Sequence, residues 1–93
     1  MLLVVNSAYG LTKLFVFITE EENDDTPLLV WLQGGPGGSS MFGLFVENGP
    51  LVVDEKLNVH VRTNSWASKY NLLFIDNPVG AGFSFTTTPD GYV

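Results

Sequence analysis

Two runs of this sequence are apolar at every position, and they limit its possible folds more than any other feature. Residues 28–32 are Leu-Leu-Val-Trp-Leu, and residues 72–75 are Leu-Leu-Phe-Ile. A strand with one face in water alternates apolar and polar side chains, whereas a strand covered on both faces of a parallel sheet is apolar throughout. The two runs therefore predict buried strands of an α/β fold, in a sheet larger than 93 residues can complete.

The other apolar segments are short and lie between turn-forming residues, a pattern that predicts hairpins. The expected pairs are residues 3–5 with 14–18, and residues 51–53 with 59–61. After the first buried strand, Ser39 or Ser40 can cap a short helix. We expect its inner face to consist of Met41, Leu44 and Phe45, because these residues follow helical spacing.

The composition excludes several classes of function. Ten acidic residues against four basic ones give a net charge of −6, which argues against nucleic acid or an anionic membrane as a partner. There is no cysteine and His60 is the one histidine, and the acidic run at 20–25 lacks the alternating ligands of a calcium loop. No apolar run is long enough to span a membrane. We therefore expect neither a metal site nor a cofactor.

A glycine loop at residues 33–38 joins the first buried strand to the helix, and such a loop presents backbone N–H groups to an anion. A nucleotide P-loop would need a lysine, and none lies between Lys13 and Lys56. A dinucleotide fingerprint would need a third glycine where Ser40 or Phe85 stands. The anion that remains is the oxyanion of a tetrahedral acyl intermediate, although the spacing alone also permits a tight turn without a ligand.

The residue types in and around this loop indicate a protein family more specifically than the glycine spacing does. Residues 31–40, W-L-Q-G-G-P-G-G-S-S, closely resemble the W-L-N-G-G-P-G-C-S-S motif of the serine carboxypeptidases. The resemblance continues, in the same order, through residues 43–50, 64–66 and 73–85. Glutamine at position 33 and glycine at position 38 depart from the motif and look most like the vitellogenic-type carboxypeptidases.

The resemblance implies an α/β-hydrolase that removes single residues from peptide C-termini at acid pH, with a Ser-Asp-His triad. By residue, it implies that the Gly35 backbone N–H is the oxyanion donor. It further implies that Trp31, Gln33, Gly34 and Glu47 bind the carboxylate at the substrate's C-terminus. A glutamate can donate to a carboxylate only when it is protonated, which offers a physical account of the acidic working pH.

The triad itself is not expected in this chain. The family's nucleophile lies in a Gly-x-Ser-x-Gly elbow, and no such string occurs here. Ser39 and Ser40 are better interpreted as helix caps, and His60 as an ordinary sheet residue. We therefore expect residues 1–93 to form a single partial domain, the N-terminal segment of a serine carboxypeptidase, and to be inactive alone.

Two other functions stay open. The first is a family-related acyltransferase that uses the same loop with an alcohol acceptor, and the second is a non-catalytic homologue or truncated product. By family, the expected partner is the C-terminus of a peptide. The expected location is secreted, lysosomal or vacuolar, although this chain shows no targeting signal.

Overall fold

The computed structural model describes residues 2–8, 10–19 and 25–92. Within these ranges the strands are β1 (Leu2–Ala8), β2 (Leu11–Ile18), β3 (Leu28–Leu32), β4 (Leu51–Val53), β5 (Val59–Val61), β6 (Asn71–Ile75) and β7 (Phe85–Thr86). The helix α1 (Ser40–Phe42) continues as a π-helical turn over Gly43–Glu47, and 3₁₀ turns lie at Trp66–Ser68 and Pro89–Gly91. No helix in the described ranges is long and apolar enough to cross a membrane.

The main sheet has the strand order β1-β2-β6-β3, and β7 pairs separately with β2. Strands β1 and β2 form the predicted antiparallel hairpin, whose turn residue Tyr9 lies outside the described residues. The two apolar runs pair in parallel as β3 and β6, with Trp31 opposite Phe74 and Leu32 opposite Ile75. Because the strands run in the same direction and end in register, the loops that follow them leave the sheet at the same edge. The predicted second hairpin, β4 with β5, is also confirmed and lies apart from the main sheet.

One face of the sheet carries the core. Its fully buried members come from β2, β6 and the turns that pack on them: Leu14, Val16, Ile18, Leu44, Ala67, Leu72 and Phe74. Met41 and Phe45 are partly buried against this cluster, so the predicted inner face of the helix is confirmed. Full burial of a leucine such as Leu44 contributes about 1.5–3 kcal/mol, and this packing therefore holds the helix against the sheet.

The opposite face of β3 is apolar but exposed. Leu28, Val30 and Leu32 are 52%, 54% and 55% exposed, whereas Leu29 and Trp31 between them point towards the core. The sequence predicts a strand covered on both faces, and the described residues cover one of them. The uninterrupted apolar pattern of β3 is accounted for on its inner face only.

Candidate active site at the ends of the parallel strands

Two glycine loops meet at the edge where β3 and β6 end. The first glycine loop is residues 33–38, between β3 and α1, and the second is residues 80–82, after β6. Each loop contains a glycine with backbone angles that other residues avoid: Gly35 has φ of 138° and Gly82 has φ of 54°. At Gly82 a β-carbon would also collide with the carboxyl group of Asp76. The second glycine loop can therefore approach the first only with glycine at position 82.

The first glycine loop turns one backbone N–H outwards. Gly35 is exposed, and no described residue accepts a hydrogen bond from its N–H. The carbonyl of the same peptide unit, Gly34 C=O, accepts instead from the Gly38 N–H at 3.0 Å. In a trans peptide the C=O and N–H point in opposite directions, so this bond aims the Gly35 N–H away from the loop. The arrangement leaves a donor available to an external oxygen.

A chain of side-chain hydrogen bonds lies beside this donor. The indole Nε1–H of Trp31 donates to Gln33 Oε1 at 2.8 Å, and Gln33 Nε2 donates to Glu47 Oε1 at 3.1 Å. The helix can lie against the indole because position 43 is glycine, where a β-carbon would collide with the Trp31 ring. The structure thus brings together Trp31, Gln33 and Glu47, three residues that the sequence places 2 and 14 positions apart.

The direction of the Gln33 amide follows from the chemistry of its neighbours. An indole N–H is a donor only, so it fixes the amide with its oxygen towards Trp31 and its NH₂ group towards Glu47. One of the two NH₂ protons forms the hydrogen bond to the Glu47 carboxyl group, and the other can donate to a further acceptor. Glu47 and residues 34–37 are exposed and Gln33 is partly exposed, so an acceptor can reach this amide from solvent.

Arg62 holds the end of the π-helical turn that carries Glu47. Its guanidinium donates to the backbone carbonyls of Phe45, at 3.0 Å, and Glu47. These carbonyls have no partner further along the turn, and a cation is favourable at the C-terminal end of a helix. No sequence pattern indicates this role, because a single arginine in a polar segment after β5 has no local periodicity.

A buried carboxyl group connects the two glycine loops. Asp76 is 0% exposed and accepts from the Ser39 hydroxyl at 2.7 Å, the Ser40 N–H at 2.8 Å and the Phe83 N–H at 2.8 Å. The Ser40 hydroxyl in turn accepts from the Gln33 N–H at 3.1 Å. Both ends of the first glycine loop are therefore attached to the end of β6. Sequence reasoning assigned Asp76 no role, although a charged residue directly after an apolar strand is an available signal.

The remaining polar candidates have structural partners. Ser39 caps α1 by accepting from the Met41 N–H at 3.2 Å, so the expected capping role is confirmed. His60 lies on β5 as an exposed sheet residue, and its Nε2 is hydrogen-bonded to the Asp54 carboxyl group at 2.7 Å. The hydrogen bond with His60 is the main cause that lowers the pKa of Asp54 below 3.8, and the Asn58 and Lys56 backbone N–H groups add to it. Among the residues described, no three His, Cys, Asp or Glu side chains form a group that could hold a metal ion.

An apolar cavity of about 500 Å³ lies on the core side of the sheet and is lined by apolar side chains. Its lining contains no predicted site residue and consists of Leu3, Val5, Leu14, Val16, Met41, Leu44, Phe45 and Phe83. A carboxylate in this cavity would find no donor, and its desolvation would be uncompensated. The cavity is therefore a different feature from the polar site at the strand ends.

The chain is similar in sequence to proteins of one known family. The profile of one protein family, described as serine carboxypeptidase, matches residues 5–93. Over 91 residues the chain is 50% identical to a probable serine carboxypeptidase, CPVL, from Homo sapiens, and 43% identical to the vitellogenic carboxypeptidase of Aedes aegypti. Each alignment covers 97% of this chain and 19% of the relative.

A solved structure is also similar. The prohormone-processing carboxypeptidase Kex1(Δ)p from Saccharomyces cerevisiae superposes with a TM-score of 0.76 at 41% identity. The match covers 89% of this chain and 18% of that one, and it confirms the predicted fold class. The chain therefore spans about a fifth of the length of the proteins that it matches.

Proposed function

This chain belongs to the serine carboxypeptidase family, and we propose that it supplies the oxyanion donor and the carboxylate-binding residues of a serine-type carboxypeptidase. In the proposed reaction a serine hydroxyl attacks the carbonyl carbon of the last peptide bond. The C-terminal amino acid leaves, an acyl-enzyme remains, and water hydrolyses it, at acid pH. The proposed substrate is the C-terminus of a peptide.

The observation that carries this proposal is the hydrogen-bonded chain from Trp31 through Gln33 to Glu47, next to an unpaired loop amide. A free C-terminus needs donors, and the second NH₂ proton of Gln33 and the Gly34 N–H can both donate without a charge. Glu47 can join them in its protonated form, by donating to the carboxylate rather than accepting. A site that needs a protonated glutamate works best in acid, which agrees with the proposed working pH.

The Gly35 N–H has the proposed catalytic role. It points outwards from the loop and would donate to the oxyanion that forms when the nucleophile attacks. A fixed donor of this kind lowers the barrier by about 3–4 kcal/mol, because its orientation costs nothing at the moment of reaction. The hydrogen bonds of Asp76 and Ser40, which attach both ends of the loop to β6, support such a fixed orientation.

The nucleophile, acid and base are assigned to other parts of the protein. No Gly-x-Ser-x-Gly string occurs in the 93 residues. Ser39 caps α1, and both Ser39 and Ser40 donate hydrogen bonds to the Asp76 carboxyl group. We therefore propose that residues 1–93 are a single partial domain and have no peptidase activity alone. The proposed location is secreted, lysosomal or vacuolar, in line with the family.

Two rivals use the same loop. An acyltransferase would pass the acyl group to an alcohol instead of water, and a non-catalytic homologue would bind without turnover. The carboxylate donors at Gln33 and Gly34 favour a peptide acid as the substrate. An N-blocked dipeptide, incubated with the complete protein that carries this chain, with and without an acceptor alcohol, separates the three. Free amino acid indicates the peptidase, an ester product the transferase, and neither product the binding protein.

Glu47→Gln tests the assigned carboxylate contact. A glutamine at this position keeps a donor and cannot ionise, so it resembles the protonated glutamate at every pH. We expect KM for an N-blocked dipeptide to stay within about three-fold at acid pH, and to rise less with increasing pH than it does in the unsubstituted protein. The pH profile of kcat/KM should also change. Glu55→Gln, an exposed glutamate in the turn between β4 and β5, is the matched control.

A second substrate makes this test specific. The same dipeptide with a C-terminal amide has no carboxylate, so the Glu47→Gln variant and the unsubstituted protein should cleave it equally well. If the pH profile for the acid substrate stays unchanged, Glu47 does not have the role proposed here.

A further inference from the structure

We propose that Arg62 is a positioning residue for carboxylate recognition and acts through Glu47, a role that rests on the proposed function of Glu47. Its guanidinium donates to two backbone carbonyls of the π-helical turn, from Nη2 to Phe45 and from Nη1 to Glu47. Arg62 lies between the segments 43–50 and 64–66 that resemble the serine carboxypeptidases, and the resemblance assigns it no role. Its role follows from the place of these two hydrogen bonds.

The hydrophobic core holds the π-helical turn near its beginning. Leu44 is 2% exposed and belongs to the core cluster, whereas Val46 and Glu47 are exposed. The two carbonyls that Arg62 binds lie on either side of Val46, in the part of the turn that packing does not hold. Because the last carbonyls of a helix have no partners within it, Arg62 supplies hydrogen bonds that the turn itself lacks.

The peptide unit that follows Glu47 is held from both sides. Its N–H, which belongs to Asn48, donates to the Gly43 carbonyl at 3.0 Å, and its carbonyl accepts from Arg62. A peptide unit is planar, so these two bonds fix its orientation and with it one of the two backbone angles at Glu47. The Arg62 N–H also donates to the Pro50 carbonyl at 2.6 Å, which attaches the arginine just after the turn. The direction in which the Glu47 side chain leaves the backbone therefore depends on Arg62.

The shape of the guanidinium suits it to this task. It is a planar fork with several N–H donors, and it can bind two acceptors in one fixed geometry. Within the part of the chain that the structure describes, Arg62 makes no ion pair with a carboxylate, and its two Nη donors are directed to the carbonyls. A lysine carries the same charge on a single nitrogen and has no such fork. The fork, and not the charge alone, should therefore hold the turn.

A small movement of the turn would break the contact that Glu47 makes. Gln33 Nε2 donates to Glu47 Oε1 at 3.1 Å, near the upper end of the range of about 2.7–3.2 Å for such bonds. If the end of the turn moves outwards, Glu47 separates from Gln33 and from a carboxylate bound beside them. The first glycine loop is attached to β6 through Ser40 and Asp76, independently of Arg62. The effect should therefore fall on recognition of the carboxylate and not on the acyl chemistry.

The test measures the acid preference of the complete protein that carries this chain. We define the acid preference as kcat/KM for an N-blocked dipeptide divided by kcat/KM for the same dipeptide with a C-terminal amide. Arg62→Ala should lower it about 3- to 10-fold through a higher KM for the acid, as expected for the loss of one hydrogen bond. Arg62→Lys should lower it about two- to three-fold, because lysine keeps the charge without the fork. Lys69→Ala removes a positive charge from an exposed residue, is the matched control and should leave the acid preference unchanged.

A second background shows whether Arg62 acts through Glu47. In a Glu47→Ala protein the carboxylate contact is already lost, so adding Arg62→Ala should lower the acid preference no further. A general structural defect would lower kcat/KM for both substrates equally and leave the acid preference unchanged. An unchanged acid preference in Arg62→Ala, or in Arg62→Lys if the alanine variant does not fold, would overturn the role of Arg62. A further loss in the double variant would also overturn it, and in each case the carboxypeptidase proposal stands.

Amide hydrogen exchange at the Asn48 N–H gives a measurement that needs no turnover. We expect this N–H to be protected in the unsubstituted protein and in Lys69→Ala, and to exchange about ten-fold faster or more in Arg62→Ala. Equal exchange rates in all three proteins would overturn the role of Arg62. A protein without peptidase activity on either substrate would overturn the proposed function instead, and the exchange rates would still show whether Arg62 holds the turn.

Discussion

Asp76→Asn is the substitution with the largest expected effect, because the carboxyl group is fully buried and accepts three hydrogen bonds. Oδ1 accepts from the Ser39 hydroxyl and the Ser40 N–H, and Oδ2 accepts from the Phe83 N–H. An asparagine has one acceptor oxygen. In either orientation its NH₂ group faces at least one N–H or O–H group of the protein. At least one hydrogen bond is therefore lost, and two donor groups face each other in its place.

The expected magnitude follows from these contacts. A hydrogen bond to a charged acceptor contributes about 1.5–3 kcal/mol, and a buried donor left without a partner costs about 1–3 kcal/mol. Since the substitution removes one such bond and weakens the others by removing the charge, we expect the free energy of unfolding to fall by about 2–4 kcal/mol. Equilibrium unfolding of the complete protein in urea measures this difference.

The control for this experiment is Asp90→Asn, the same chemical change at an exposed residue of the last 3₁₀ turn. The free energy of unfolding of the Asp90→Asn variant should stay within about 0.5 kcal/mol of the value for the unsubstituted protein. An Asp76→Asn protein that unfolds at the same urea concentration as the control would refute the claim that the buried carboxyl holds the two loops together.

Two further substitutions address the orientation of Gln33 and the titration of the second hairpin. Trp31→Phe removes the indole N–H that orients the Gln33 amide, so KM for the peptide acid should rise about 3- to 10-fold with little change in kcat. Trp66→Phe, which keeps the edge-on ring contact at 6.1 Å, should leave both constants unchanged. His60→Ala should raise the pKa of Asp54 towards 3.8, measured by NMR titration of its carboxyl carbon. Because the folded pKa lies below the unfolded one, the pairing stabilises the hairpin above pH 3.8 and is lost as pH falls through the folded value. A folded Asp54 pKa that does not move would contradict this.

The sequence was sufficient for those parts of the fold that depend on local pattern. The apolar runs predicted the strands β3 and β6 of a parallel sheet, although not that they are neighbours, and helical spacing predicted that Met41, Leu44 and Phe45 face the core. The motif at residues 31–40 predicted the family, which the comparisons confirm. The roles of Gly35 and Glu47 stay predictions.

The parts that the sequence did not predict depend on contacts between distant segments. Asp76 lies 37 positions from Ser39 along the chain, and the guanidinium of Arg62 reaches a carbonyl 17 positions away. Periodicity indicates which side chains are buried, but it carries no information about which donor a buried carboxyl group meets. That pairing exists only once β6 lies beside β3, so it follows from the sheet and not from the local sequence.

A loop made largely of glycine is a poor starting point for a fixed donor, because glycine loses more conformational freedom on folding than any other residue. Ordering each residue costs about 1–2 kcal/mol, so a rigid loop needs compensating bonds from outside itself. Here Ser40 and Asp76 hold the ends, and the Gly38 N–H holds the middle. The buried carboxyl group supplies the strongest of these bonds, since hydrogen bonds to a charged acceptor are about twice as strong as neutral ones. Because that charge lies beside the loop and not in it, the exposed Gly35 N–H has no acceptor among the described residues, as its proposed role as an oxyanion donor requires.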